Sequence, residues 1–418
     1  MKTAARAVIA LTAFAFFARP AAAGAEPVYW GPSFVDAIGV NVHLHYKETP
    51  YVQRWPEVRD AIAELGVRHV RDGLFDSDWA PYYAHLNELA ASGVRLDLIT
   101  NLGESEQLIS SYPQRVAGIE AFEAPNELKL SSPDAVSTLR SFMGVVRDAA
   151  TAAHVPVIGP SQAQPKGYAV IGDLSSLVDF GNLHDYPGGH NPGTPGWGGL
   201  AFGSRFGSIP YNLAATRQVS GTHPIVTTET GYFTDLSIHG GVPAVIEARY
   251  TPRLLLEHFR AGVARTYIYE LLDEGRGKDA HYGLMTGDLE RRPAFYALAA
   301  TLWEIGGPKG QDAPRYDALP VTVQTDVADV HHVLFERGDG RFVMALWREA
   351  SSYDIEMNAF LTVAPVQVSI AGPLPEPQIL TFGDDGKLRP RELNRAGAAL
   401  SLSVDDHVTF LEFGASRR

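Results

Sequence analysis

The chain has 418 residues, no cysteine and a formal net charge of −13 at pH 7. Acidity of that degree argues against nucleic acid and strongly anionic polymers as ligands, and the lack of thiols excludes disulfides and thiolate chemistry. Hydrophobic residues make up 45% of the chain. That is enough for one large domain plus a small one, and too much for wholesale disorder.

The first residues have the pattern of a secretory leader. Lys2 and Arg6 are basic, Val8 to Ala18 is apolar, and Ala21-Ala22-Ala23 or Ala23-Gly24-Ala25 supplies small residues for cleavage. The apolar run is too short to span a bilayer and Arg19-Pro20 interrupts it. Removing residues 1–23 takes Lys2, Arg6 and Arg19 and no acid, so the mature chain is more acidic still. The expectation is an exported protein, periplasmic or extracellular, with no membrane attachment once the leader is gone.

From residue 36 an apolar strand, a polar end and a helical stretch alternate. The first strand lies within Asp36 to His45. A helix over Trp55 to Leu65 is closed by Gly66. The second strand, Val67 to Val70, ends in Arg71-Asp72-Gly73, and a helix comes next over Trp79 to Ala91. Arg95 to Thr100 is the third strand. The fourth, from Ile119, is stopped by Pro125 and followed by Asn126-Glu127. Ser132-Pro133-Asp134 starts a helix to about Ala153. Pro156 to Gly159 is the fifth strand. A helix over Tyr168 to Leu177 leads to the sixth, Val178 to His184. A Gly/Pro-rich loop over 188–207 is too long for a simple connector and suggests a mobile wall over a cleft. The seventh strand, Pro224 to Thr228, ends at Glu229. A long helix over Pro243 to Gly262 leads to the eighth strand, Ala264 to Leu271, and a final helix closes the series at Ile305. Eight strand–helix units predict a (β/α)8 TIM barrel over residues 24–308. An open doubly wound sheet would carry a Gly-rich phosphate turn after its first strand, and His43-Leu44-His45 stands there instead. Past Gly306-Gly307-Pro308 short β-rich runs alternate with turns, among them a hairpin at Asp339-Gly340. Residues 309–418 therefore read as a C-terminal antiparallel β-sandwich.

Catalytic groups of a parallel barrel gather at the carboxyl ends of its strands. Those ends offer Asn41, His43 and His45 from the first strand and Arg71 from the second. The fourth gives Asn126 and Glu127, the sixth His184 and Tyr186, the seventh Glu229, and the eighth Glu270 or Asp273. Carboxylates on strands four and seven face each other across the mouth. A retaining glycosidase needs such a pair, one acid protonating the leaving oxygen and one carboxylate attacking the anomeric carbon. Trp79, Trp197 and Tyr232 are candidate platforms for the apolar face of a sugar. His43, His45, His184 and Glu270 are candidate ligands of its hydroxyls.

Asn126-Glu127 after strand four, with Glu229 after strand seven, resembles the clan of retaining glycoside hydrolases that carry catalytic glutamates on those strands (clan A). Glycoside hydrolase family 39 or a relative is the nearest match. The resemblance implies Glu127 as acid/base and Glu229 as nucleophile, with Asn126 on the sugar 2-hydroxyl. It also implies that Arg71 and Tyr186 touch the nucleophile. His184-Asp185-Tyr186 matches the His-x-Tyr pattern, and Tyr282-Gly283-Leu284-Met285 with Arg292-Pro293-Ala294-Phe295 resembles the approach to the last helix. The chain departs from family 39 in lacking a tryptophan before Asn126 and at the end of the eighth strand. Taken together, the resemblance and the leader imply a secreted hydrolase of poly- or oligosaccharides, expected to be monomeric and to need no cofactor or metal. Two alternatives come from other classes. His43-Leu44-His45 resembles the His-x-His of barrel metal hydrolases, and a retired site would leave a non-catalytic carbohydrate-binding protein.

Overall fold

The computed structural model describes residues 24–274, 281–396 and 399–414; the expected leader at 1–23 lies outside them. Eight parallel strands form the barrel: Ile38–Asn41, His69–Gly73, Arg95–Ile99, Ile119–Glu123, Val157–Ile158, Gly181–His184, Ile225–Thr230 and Arg265–Ile268. Each pairs with its neighbour in chain order, and the eighth returns to the first through Gly39 and Tyr267. The short fifth strand meets the sixth unit through a parallel bridge from Ile158 to Phe180, which closes the ring. Strand four is buried from Glu120 to Glu123 and stops before Pro125, as a proline without an N–H requires.

Local signals set the helix ends. The helix Trp55–Leu65 ends at Gly66, whose φ of 80° is the left-handed conformation glycine tolerates. Pro133–Ala153 begins at Ser132, whose side chain accepts from the Ala135 N–H at 3.2 Å. The helix expected over Tyr168 to Leu177 is instead Lys166–Ile171, because Gly172 (φ 70°) breaks the run and Leu174–Leu177 turns. No helix among the described residues is long and apolar enough to cross a membrane.

The C-terminal sandwich has a seven-stranded and a four-stranded sheet. The expected hairpin is present: Val330–Glu336 pairs antiparallel with Phe342–Arg348, and Gly340 sits at the turn with φ 80°. Alternation puts the two faces of these strands to different uses. Leu334, Met344 and Leu346 pack on Val368, Ile370 and Leu402 of the small sheet. Phe335, Val343 and Trp347 join the core of the barrel side instead. There Phe34, Phe259 and Phe335 form an aromatic triangle with centroids 5.3–5.5 Å apart. One element sits differently from the expected division at residue 308. The strand Glu26–Trp30 pairs parallel with Val330–Glu336 in the large sheet, not with the barrel. Both its strand partners, Ala318–Leu319 and Val330–Glu336, lie in the sandwich, and the barrel takes its own first strand only from Ile38.

Polar groups also cross the junction. Arg253, fully buried, donates to both oxygens of Glu349 at 2.8 and 3.1 Å. Glu349 Oε1 in turn accepts from Asn191 Nδ2 at 2.8 Å and from the Gly193 N–H at 2.9 Å. A Cβ at Gly193 would lie 2.5 Å from the Glu349 side chain, so the approach needs glycine. The loop expected as a mobile wall is thus tied to the sandwich in its first half.

Because barrel and sandwich share a core, urea unfolding should give coincident transitions by tryptophan fluorescence and far-UV circular dichroism. Phe335→Ala should lower stability by about 3–5 kcal/mol while keeping a single transition. Separate melting of the two parts would contradict the shared core.

Candidate active site

Strand two carries Arg71 into the barrel mouth, and all five of its N–H donors are used. Nε and Nη2 grip both oxygens of Glu123 at 2.7 Å. Nη1 donates to Asn41 Oδ1 at 2.9 Å and Glu229 Oε1 at 2.7 Å, and Nη2 also reaches Asn126 Oδ1 at 2.8 Å. Glu123 is completed by Asn182 Nδ2 at 2.9 Å. Below them Asp97 is pushed up by burial and by Glu123, which leaves Arg71 to balance Glu123 and Glu229.

Glu229 ends strand seven. Burial alone would raise its carboxyl, but the charges of His184 and Arg71 and hydrogen bonds from Tyr186 and Arg71 hold it below the ordinary carboxylate range. The Tyr186 hydroxyl donates to Oε2 at 2.9 Å. Glu127, past strand four, has a φ of 42°. A left-handed backbone at a non-glycine residue is strained and is held there by its surroundings, including the Ser161 hydroxyl that accepts its N–H at 3.2 Å. The Glu127 side chain is 31% exposed and that of Glu229 11%. One oxygen from each lies within 4.8 Å of the other and of a His184 nitrogen.

Hydrogen-bond partners place one proton of His184 on Nε2. Asn182 Nδ2 donates to Glu123 and to the Gly159 carbonyl, so its Oδ1 accepts from the Thr228 hydroxyl at 2.6 Å. With that proton committed, Thr228 Oγ1 accepts from His184 Nε2 at 3.1 Å. His184 Nδ1 faces Glu127 Oε1 at 2.7 Å, so one proton lies between the imidazole and that carboxyl. Asn126 has its Oδ1 taken by Arg71 and Ser161, which fixes the amide and turns its NH2 to other partners. The carboxyls of Glu127 and Glu229 thus face each other, with one oxygen of each within 4.8 Å of the other.

Beside them a cavity of about 310 Å3 is lined by Asn126, Arg71, His43, His45, Tyr46 and Phe75, among others. His45 Nδ1 donates to Asp72 at 3.2 Å, and Asp72 also accepts from the Leu44 and Gly73 N–H groups. His43 Nε2 faces Glu270 and Glu274 instead. The two histidines therefore do not converge on one ion, as the metal-hydrolase alternative requires. Burial, then Asp72, pushes Glu274 up to about 9. Tyr186, Tyr269 and Tyr282 form an aromatic wall with centroids 5.5–6.5 Å apart.

Arg71, Asn126, Glu127, His184, Tyr186 and Glu229 are brought into one network, and His43, His45 and Glu270 border it. Tyr232 is corrected: it is 3% exposed, its hydroxyl donates to the His190 carbonyl and its ring packs on Tyr250, so no sugar can stack on it. Trp197 is 37% exposed, but its ring is stacked on His190 and closed by Phe206, away from the cavity lining. Trp79 lies under the Lys47 ammonium and edge-on to His85. Sequence reasoning missed Glu123, Asn182 and Thr228. The available signal was a glutamate inside a strand buried on both faces, which demands a cationic partner.

No protein-family model and no curated protein matches the sequence. Solved structures do. A family 39 glycoside hydrolase from the gut symbiont Bacteroides cellulosilyticus WH2 superposes with a TM-score of 0.65 at 12% identity, covering 93% of this chain and 83% of that one. The catalytic domain of the GH30 xylanase C from Talaromyces cellulolyticus gives 0.57 at 9% identity, covering 94% and 98%. At such identities the likeness is one of fold: this chain has the barrel-plus-sandwich architecture of those two glycoside hydrolases.

Proposed function

We propose that the protein is an exported retaining glycosidase that cleaves O-glycosidic bonds of a neutral poly- or oligosaccharide by double displacement. The observation that carries this reading is the approach of Glu127 and Glu229 oxygens to within 4.8 Å, one end on strand four and the other on strand seven. Retaining enzymes hold their carboxyls about 5–5.5 Å apart, whereas inverting enzymes leave about 6.5–9.5 Å for a water. The fold shared with two glycoside hydrolases supports the class. The leader-like N-terminus supports export, and the acidic chain favours a neutral sugar.

In this reading the surroundings of the two carboxyls divide the roles between them. Glu229, kept ionised by Arg71 and Tyr186, attacks the anomeric carbon. Glu127, more exposed and hydrogen-bonded to His184 Nδ1, gives its proton to the leaving oxygen as the glycosidic bond breaks. Glu127 then takes a proton from water, which attacks the same carbon and releases Glu229. The Asn126 amide, oriented by Arg71 and Ser161, meets a sugar hydroxyl in the cavity it lines.

Incubation with 2-deoxy-2-fluoro glycosyl fluorides should label Glu229, detected by mass spectrometry of the intact and digested protein. Labelling elsewhere, or an inverted product by NMR, would overturn the mechanism. Glu127→Ala should lower kcat by about 10²–10⁴-fold on substrates with poor leaving groups, the usual worth of general acid catalysis. Azide should restore turnover in Glu229→Ala and give the glycosyl azide of inverted configuration.

A depressed carboxyl keeps its charge as pH falls, and the stability it confers is present above the unfolded carboxylate range and lost through the lowered folded pKa. Tyr186→Phe removes one hydrogen bond to the ionised form. The acid limb of the kcat/KM profile should then move to higher pH by about one unit. An unmoved limb would show that Glu229 does not set it.

A further inference from the structure

Along the end of strand six, side chains alternate into the barrel: Asn182 meets Glu123, His184 meets Glu127 and Tyr186 meets Glu229. Asp185 therefore points the other way, into the layer between the strands and the helices. It is 2% exposed, and a carboxylate placed there is costly unless its oxygens are served. Oδ1 accepts from Asn212 Nδ2 at 2.5 Å, on the helix Ile209–Ser220. Oδ2 accepts from His258 Nε2 at 3.2 Å, on the helix Ala244–Arg260. His258 is itself buried, and its Nδ1 meets Thr266 Oγ1 of strand eight at 3.0 Å. The backbone of Asp185 is tied as well. Its N–H donates to the Glu229 carbonyl at 3.0 Å, and its own carbonyl accepts from the Thr230 hydroxyl.

These backbone bonds fall where the two strands slip register. Leu183 pairs with Thr227, but His184 pairs with Glu229, so strand seven carries one extra residue there. The slip lets both Thr228 and Glu229 reach the barrel side, Thr228 to Asn182 and Glu229 to Arg71. A bulge re-aims side chains in this way and interrupts the ladder that would hold them. We propose that Asp185 is a positioning residue for Glu229: anchored by Asn212 and His258, it sets where Tyr186 and the bulged end of strand seven stand relative to each other.

An apolar residue at 185 would fill the same space, but hydrophobic contact is non-directional and would let the strand end slide. Hydrogen bonds from two separate helices are directional and fix it. The chain of contacts runs from His258 and Asn212 through Asp185 to Tyr186, whose hydroxyl donates to Glu229 Oε2 at 2.9 Å. The consequence for catalysis rests on the reading of Glu229 as nucleophile. The consequence for the Tyr186–Glu229 hydrogen bond does not, and it is measurable without turnover.

Full-length protein with 13C-labelled glutamate carboxyls would be titrated by NMR, the Glu229 signal being identified by its loss in Glu229→Gln. Asp185→Leu fills the space and loses both side-chain bonds. Removing a negative charge would by itself lower the Glu229 midpoint, and Arg71 and His184 still face that carboxyl. The expected result is the opposite, a midpoint raised by up to about one unit, as a weakened Tyr186 bond requires. In a Tyr186→Phe background Asp185→Leu should add little, because both act on one bond. His258→Leu should raise the midpoint likewise, and His258→Gln, which keeps an N–H for Asp185, should restore it. Circular dichroism checks each fold, and either leucine variant decides if the other fails to fold. Labelling by the 2-deoxy-2-fluoro glycosyl fluoride that modifies the unsubstituted protein should slow about ten- to hundredfold. A raised midpoint with no sugar labelling any form would keep the positioning role and remove the glycosidase reading. An unmoved or lowered midpoint, beside normal labelling of the unsubstituted protein, would overturn the positioning role alone. A rise that adds in full to that of Tyr186→Phe would overturn it equally.

Discussion

One guanidinium organises the mouth of the barrel. Arg71 spends two donors on Glu123, one on Glu229, one on Asn41 and one on Asn126. A buried arginine with so many obligations costs a great deal to desolvate and is held only because each donor finds an oxygen. The arrangement makes Glu123, itself fully buried, a condition for the site. It fixes the fork of Arg71 in the plane that delivers the remaining N–H groups to Glu229 and Asn126. Lysine has no planar fork, so the conservative replacement would preserve charge and lose the geometry.

The strand ends are readable because chemistry and folding punctuation coincide there. Pro125 has to stop strand four, and Asn126-Glu127 comes next. Arg71, His184, Tyr186 and Glu229 lie at matching places after their own strands. The network between them is not readable. Glu123 and Asn182 point into the barrel from separate strands, and nothing in one-dimensional spacing says which strand faces which. Aromatic residues mislead for a similar reason. Tyr232 and Trp197 occur in loops with sugar-binding composition, yet tertiary packing takes one into the core and turns the other against His190. The helix after strand five is overextended in sequence because its apolar pattern runs on past Gly172, where the backbone stops.

The sandwich is more than an appendage. Its Glu349 balances the charge of buried Arg253 and, with one of the same oxygens, holds Asn191 and Gly193 of the loop that follows Tyr186. Tyr232 secures His190 just before them. The tyrosine that bonds to Glu229 is therefore anchored on one side by strand six and on the other by a loop fastened to another layer of the molecule. Rigidity of this kind suits a group whose task is to hold one oxygen in one place.

The strand Glu26–Trp30 lies beside Val330–Glu336, so two distant parts of the chain are laced together around the barrel. A ribosome delivers this strand at the start, but its partner appears only when most of the polypeptide exists. During synthesis the early strand is an exposed edge awaiting a late neighbour, a natural place for a chaperone to be needed. The same lacing limits modular evolution. A genetic exchange that replaced the C-terminal sheet by a single crossover would orphan the N-terminal strand, so this sheet can be traded intact only if both coding segments move together.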